Sequence, residues 1–399
     1  LFVKKLFLLP LLIIYTKSFE NTSFFRKKYF IFLNMCYIIY SDKYMKDRFG
    51  KISLWKFLFS IMIIIFHVGN VLDYNKFKFN FGSGSIAVDF FFVVSGFFFC
   101  RKYINYEIKK SLGEDSFNYL VNRTSRFIKY IIILLIIAIP FSILCLKFNF
   151  TSVINAFYKL LYIPHHGKCN SEIFGITWYI MAMILVESML FPFLIKYKKE
   201  FVYIISPIII ILLGSYLLIR YEHFATPWKM GSILYKGILR GIFEINIGMY
   251  LYLISEKISN IKFTKLSKVL LLLFEITGYL SIFILVNLNN AHRRFDVLML
   301  IILSICILIS TNKDMYLYKF CNNKLFYYLE KLSLPMYIYQ WLIIEMLVFI
   351  LTKFNIHLSY LCFSGITIII SIIFGMIILK LINFYDSKKK KIKLLFIAN

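Results

Sequence analysis

Charge is scarce in this sequence, and acidic charge most of all. Asp and Glu number 20 against 47 Lys and Arg, and charged residues of every kind make up 17% of the chain. Soluble domains carry roughly 25% charged and about 45–50% apolar residues. Here 60% of residues are apolar and 19% aromatic, which excludes a water-soluble domain and requires lipid to cover the surface. Patterned cysteine is also lacking. Cys36, Cys100, Cys145, Cys169, Cys306, Cys321 and Cys362 are scattered, odd in number and without a C-x-x-C pair, so they specify neither a disulfide framework nor a metal site. Gly82-x-Gly84 has no third glycine and no preceding strand, so it is not a nucleotide loop. Internal repeats and low-complexity linkers are absent apart from a lysine run at the tail, and one membrane domain is the expectation.

What the sequence does have is long apolar runs. A crossing helix needs roughly 20 apolar residues for about 30 Å of hydrocarbon. Ten segments reach or approach that length: about 52–72, 84–100, 128–148, 173–195, 202–219, 233–254, 268–288, 296–312, 333–352 and 357–383. The expected fold is therefore all-α, a polytopic bundle of about ten spans. Basic residues crowd alternate gaps. Lys43, Lys46, Arg48 and Lys51 precede the first span, Arg101 to Lys129 separate the second and third, and Lys388 to Lys391 with Lys393 end the chain. By the positive-inside rule this side is the cytoplasm, with both ends of the core on it, in the cytoplasmic (inner) membrane. The same alternation explains the net charge of +27 without a nucleic-acid partner.

Residues 1–44 fit this scheme poorly. Their apolar runs, Leu6–Tyr15 and Tyr29–Tyr40, fall short of a span, and Met45 opens a basic lead into the first full one. The expectation is an upstream extension at 1–44, or a short interfacial anchor or uncleaved signal, and a membrane domain at 45–399.

Ionisable residues inside a bilayer cost roughly 2.5–3.5 kcal/mol each, which makes them functional candidates. In the first span Lys56 and His67 are eleven steps apart, on one helix face and about 16 Å distant along the axis. The second span sets Asp89 before a phenylalanine run and Ser95-Gly96, where glycine permits close helix approach and serine can bond a neighbouring backbone. Arg240 and Glu244, four apart, are expected to pair. Glu187 and Glu275 have no evident local partner, so each either orients His67 or meets a basic residue on a neighbour. His165, His166, Cys169 and Glu172 cluster in an outer loop with poor metal spacing, and no metal is expected. Trp178 and Tyr179 suit an interfacial aromatic belt or an acceptor-stacking platform.

These positions together resemble acyltransferase family 3, membrane-bound O-acyltransferases of surface polysaccharides. The resemblance lies in Lys56, ten residues, then His67; in Gly84, Val88, Asp89, Phe90 to Phe92 and Ser95-Gly96-Phe97; in Arg123 and Arg126 of "NRTSRF"; in Thr177-Trp178-Tyr179; and in "RGIFEINIGMYLY" from Arg240. It runs from about Arg48 to Asn383. Two positions depart from the pattern. Lys56 stands where the family has arginine, losing the planar fork that grips phosphate, and Gln340 stands where a histidine is common.

The resemblance implies transfer of an acyl group, usually acetyl, from acyl-coenzyme A to a hydroxyl on a cell-envelope polysaccharide or lipid-linked sugar. It implies catalysis by His67 with Asp89, donor binding by Lys56, Arg123 and Arg126, and support from Ser95, Trp178, Tyr179, Arg240 and Glu244. The chemistry is apt, because a neutral imidazole with an ordinary pKa of about 6.5 can take a hydroxyl proton and cations can meet the donor's phosphates. A secondary transporter or glycan flippase would also bury such charges, but would be expected to show paired, Gly/Pro-interrupted spans in two halves, and none are seen.

Overall fold

The computed structural model describes residues 48–71, 84–145, 177–224, 229, 234–288 and 295–398. The 1–44 segment and the loop holding His165, His166, Cys169 and Glu172 lie outside the described residues. The chain forms two units. One comprises 1–48 and 323–325; within it the Asn323 side chain accepts a hydrogen bond from the Leu325 N–H at 2.9 Å. The other, 49–322 with 326–399, holds the helical bundle.

The described residues contain helices and no β-strand. The helices are α1 (Gly50–Val71), α2 (Ile86–Tyr103), α3 (Leu112–Cys145), α4 (Trp178–Glu200), α5 (Ser206–Tyr221), α6 (Lys236–Ser259), α7 (Lys265–Leu288), α8 (Asp296–Thr311), the single turn α9 (Tyr318–Cys321), α10 (Lys324–Lys353) and α11 (Tyr360–Ala398). Seven stretches are long and apolar enough to cross a membrane. The ten expected segments reduce to seven for three reasons. α4 and α5 run together through a π-helical stretch, Phe201–Ile205, as one stretch Trp178–Tyr221; α2 carries Asp89, Arg101 and Lys102; and α8 has only 16 residues.

The polarity of the bundle is inverted relative to a soluble protein. Ile219 is 84% exposed and Leu144 81%, whereas Arg240 is 1% and Glu187 and Glu244 are 0% exposed. Apolar side chains outside and charges inside are what a lipid solvent selects.

Contacts fix the relative directions of the helices. Lys51 meets Glu275 while Phe59 stacks near Phe283, so α1 and α7 are parallel. Lys56 meets Glu330 while His67 packs on Trp341, so α1 and α10 are parallel too. α2 is antiparallel to α1, since Phe49 meets Phe97 and Phe59 meets Phe90. α2 is parallel to α4, through Phe92 with Tyr179 and Phe99 with Phe191, and to α6, through Asp89 with Arg240 and Phe97 with Tyr252.

The same reasoning divides the long Trp178–Tyr221 stretch. α4 is parallel to α6, because Val186 lies at Gly241 and Lys199 reaches Glu256. α5 is antiparallel to α6, because Lys257 lies over Tyr203 and Gly214 abuts Phe243. α4 and α5 therefore run in opposite directions, and the backbone departs from helix at Lys198 (φ 47°, ψ −125°), a conformation that suits the first corner of a type II′ turn.

α2 and α6 pack closest, backbone to backbone. A methyl group on Gly96 would strike the Ile245 carbonyl, and one on Gly248 would strike the Val93 carbonyl. Neither backbone can yield without parting the helices. Gly248→Ala is expected to destabilise the protein by about 1–3 kcal/mol. Gly365→Ala, with nothing within 4 Å of its methyl, should be neutral. Thermal unfolding in detergent compares the two, and equal midpoints would refute the close packing.

Candidate active site

A cavity of about 400 Å³ lies among α1, α2, α3, α4 and α10. Five of the residues expected at the site line it: Lys56, Ser95, Arg123, Arg126 and Tyr179. Its centre is a buried carboxylate. Glu187, from α4, receives hydrogen bonds from Tyr119 OH at 2.6 Å, Ser95 Oγ at 2.6 Å and Arg123 Nη2 at 2.8 Å. Arg123 Nε also lies 2.6 Å from Glu187 Oε2. Of the two roles open to Glu187, it meets a neighbouring cation and does not orient His67. Ser95, expected to bond a backbone, instead donates to this carboxylate and accepts from Arg123 Nη2 at 3.2 Å, because an ionised oxygen is the stronger acceptor. Glu275 likewise finds a cation, Lys51 Nζ at 2.7 Å.

Lys56 is also matched. Its Nζ lies 2.5 Å from Glu330 Oε1 and 4.8 Å above the Phe98 ring, and Ser53 Oγ donates to Glu330 Oε2 at 2.7 Å. Two of the three expected donor cations thus already face carboxylates. Arg126 does not. It is exposed, lines the cavity and has no carboxylate partner among the described residues; the same is true of Lys102, which packs against the Tyr103 ring at 4.8 Å. These two cations carry charge that an anionic ligand can use.

His67 does not line this cavity. It sits on the α10-facing side of α1, as Lys56 does, with its ring edge-on to Trp341 at 4.9 Å and Gln340 beside it. One turn of α10 separates Gln340 from Tyr337, a lining residue that packs on Tyr179 at 5.6 Å. The cavity therefore stops within about 5 Å, measured along α10, of the position facing the imidazole.

The remaining expected residues assemble elsewhere. Arg240 pairs with Glu244 (Nε to Oε1, 2.8 Å), as four-residue spacing predicts. A third member joins them: Asp89, expected with His67 among the catalytic groups, accepts from Arg240 Nε at 2.7 Å and from its Nη2. This cluster is buried between α2 and α6, away from the cavity lining, and ties the two helices together. Trp178 packs near Phe92 at 6.1 Å, and Trp178 and Tyr179 are 8% and 7% exposed, too buried for an interfacial belt.

Sequence reasoning did not single out Glu330, Lys102, Tyr119 or Tyr337. Glu330 left a trace, being with Asp314 one of two acids in the otherwise basic gap before the ninth apolar segment. Among the described residues no three His, Cys, Asp or Glu side chains group as metal ligands.

Removing one member of a buried pair leaves the other charge uncompensated. Arg123→Ala is expected to cost about 3 kcal/mol of stability. Adding Glu187→Gln to it should restore most of that loss. Denaturant unfolding of the single and double variants measures the coupling, and losses that simply add would contradict it.

Neither the comparison with curated proteins nor that with solved structures returns a match. The comparison with protein families matches residues 49–378 to the acyltransferase domain, a stretch that contains every residue lining the cavity together with His67 and the Asp89–Arg240–Glu244 cluster. The chain therefore belongs to acyltransferase family 3 and is a helical membrane acyltransferase.

Proposed function

We propose that this acyltransferase takes an acyl group, acetyl in the first instance, from acyl-coenzyme A on the cytoplasmic side and delivers it to a hydroxyl of a surface polysaccharide or lipid-linked glycan. The supporting observation is the cavity itself. It offers two exposed cations without carboxylate partners among the described residues, Lys102 and Arg126, and reaches inward to Tyr337, one turn of α10 from the side chain beside His67. The donor's phosphates meet Lys102 and Arg126, and its pantetheine arm follows the lining from Phe98 and Ser95 toward Tyr337. Lys56 and Arg123 shape the walls through their carboxylate partners. At the inner end the imidazole of His67 takes the acceptor's hydroxyl proton as oxygen attacks the thioester carbonyl. The C–S bond breaks, and the thiolate takes up that proton.

In this reading the protein crosses the cytoplasmic membrane ten times, with both ends of the core inside. The helix directions favour it. Alternating spans make α1, α7 and α10 the first, seventh and ninth crossings, all parallel, and α2, α4 and α6 the second, fourth and sixth, all opposed to α1. A count of only the seven long apolar stretches would make α1 the first and α10 the sixth, hence antiparallel.

Two experiments test these statements. In liposomes, His67→Ala should lower the turnover of acetyl-coenzyme A by about 10²–10⁴-fold, while Lys102→Ala and Arg126→Ala should each raise its KM about tenfold with turnover kept. Undiminished turnover in His67→Ala would remove the mechanism. For topology, single cysteines at Asn260 and Asn355 in a cysteine-free background should lie on opposite faces, read with a membrane-impermeant thiol reagent. Labelling of both from one face would remove the ten-crossing arrangement.

A further inference from the structure

We infer that Gln340 is a positioning residue for His67: its carboxamide oxygen holds the imidazole in the Nδ1-protonated form and leaves Nε2 as the nitrogen that takes the acceptor's proton. The inference rests on the acyl-transfer reading above and deepens it. Gln340 is fully buried on α10 and lies beside the imidazole. Its Nε2 donates to the Tyr337 carbonyl at 3.0 Å. A carbonyl oxygen can only accept, so the amide nitrogen must face Tyr337, and the amide oxygen is the end left over.

That oxygen is buried without a hydrogen-bond partner, and so is Nδ1 of His67. An unpartnered acceptor and an unpartnered ring nitrogen can satisfy each other only with the proton on Nδ1, and Trp341 Nε1, also buried and unpartnered, can only donate and so cannot replace the carboxamide oxygen as acceptor. The opposite tautomer would set two buried lone pairs against each other. Trp341, edge-on to the ring at 79°, and Phe66 at 5.2 Å limit the orientations the imidazole can take.

The chemical consequence is directional. A neutral carboxamide cannot accept the ring proton, so all proton traffic passes through Nε2. Nε2 receives the hydroxyl proton as the new C–O bond forms at the thioester carbonyl. The C–S bond then breaks, and the same proton leaves Nε2 for the departing thiolate, so the imidazole ends as it began and no proton is gained or lost.

The test is nitrogen NMR of the full-length protein with labelled histidine, in which the His67 signals are identified by their loss in His67→Ala. An Nδ1-protonated ring with a bare Nε2 supports the assignment, and an Nε2-protonated ring in the native protein overturns it. In kinetics, Gln340→Leu should lower kcat about 100-fold with KM for acetyl-coenzyme A unchanged, whereas Gln340→Glu, which keeps an acceptor oxygen, should stay within about tenfold of native. A Gln340→Leu protein with native kcat also overturns it. If Gln340→Leu does not fold, the native spectrum decides alone. Failure of the acyl-transfer reading is distinguishable, because the native protein would then release no coenzyme A whichever tautomer it holds.

Discussion

A charge moved from water into hydrocarbon loses its hydration, and only a partner of opposite sign or a set of hydrogen bonds makes up the loss. Few acids are available, and four of the carboxylates in the bundle meet a cation from another helix. Lys51 with Glu275 joins α1 to α7, Lys56 with Glu330 joins α1 to α10, Arg123 with Glu187 joins α3 to α4, and Arg240 with Asp89 joins α6 to α2. Lipid supplies no hydrophobic force between helices, so these pairs, with tight glycine contacts, fix which faces meet.

The cavity follows from the same constraint. Glu187 draws Tyr119, Ser95 and Arg123 toward one point, and Glu330 draws in Lys56 and Ser53, so polar groups from several helices line a space that apolar side chains would otherwise fill. With the interior pairs neutralised, the cations left over are those at exposed positions, Lys102 and Arg126. An anionic ligand would meet positive potential on approach and a matched interior beyond it.

Much of the bundle was legible because hydrophobic length is a local property. The ten apolar segments correspond to ten helices, and the Arg240–Glu244 pair follows from four-residue spacing alone. The placement of Lys56 and His67 on one face also held, since both turn toward α10. The reversal at Lys198 was legible only as a cluster of lysines between two apolar runs. Its non-helical backbone, and the opposite directions of α4 and α5, required their separate contacts with α6.

The sequence by itself determined that the chain is a helical membrane protein, which residues are candidates for chemistry and which face of α1 carries two of them, because these depend on composition and on a 3.6-residue period. Only the tertiary structure decided the partners. Asp89 serves Arg240, Glu187 gathers Arg123, Ser95 and Tyr119, Glu330 from a distant helix matches Lys56, and Gln340 is set beside His67. Those pairings join residues tens to hundreds of positions apart. They depend on how helices are rotated and ordered in the bundle, which spacing along one chain does not encode.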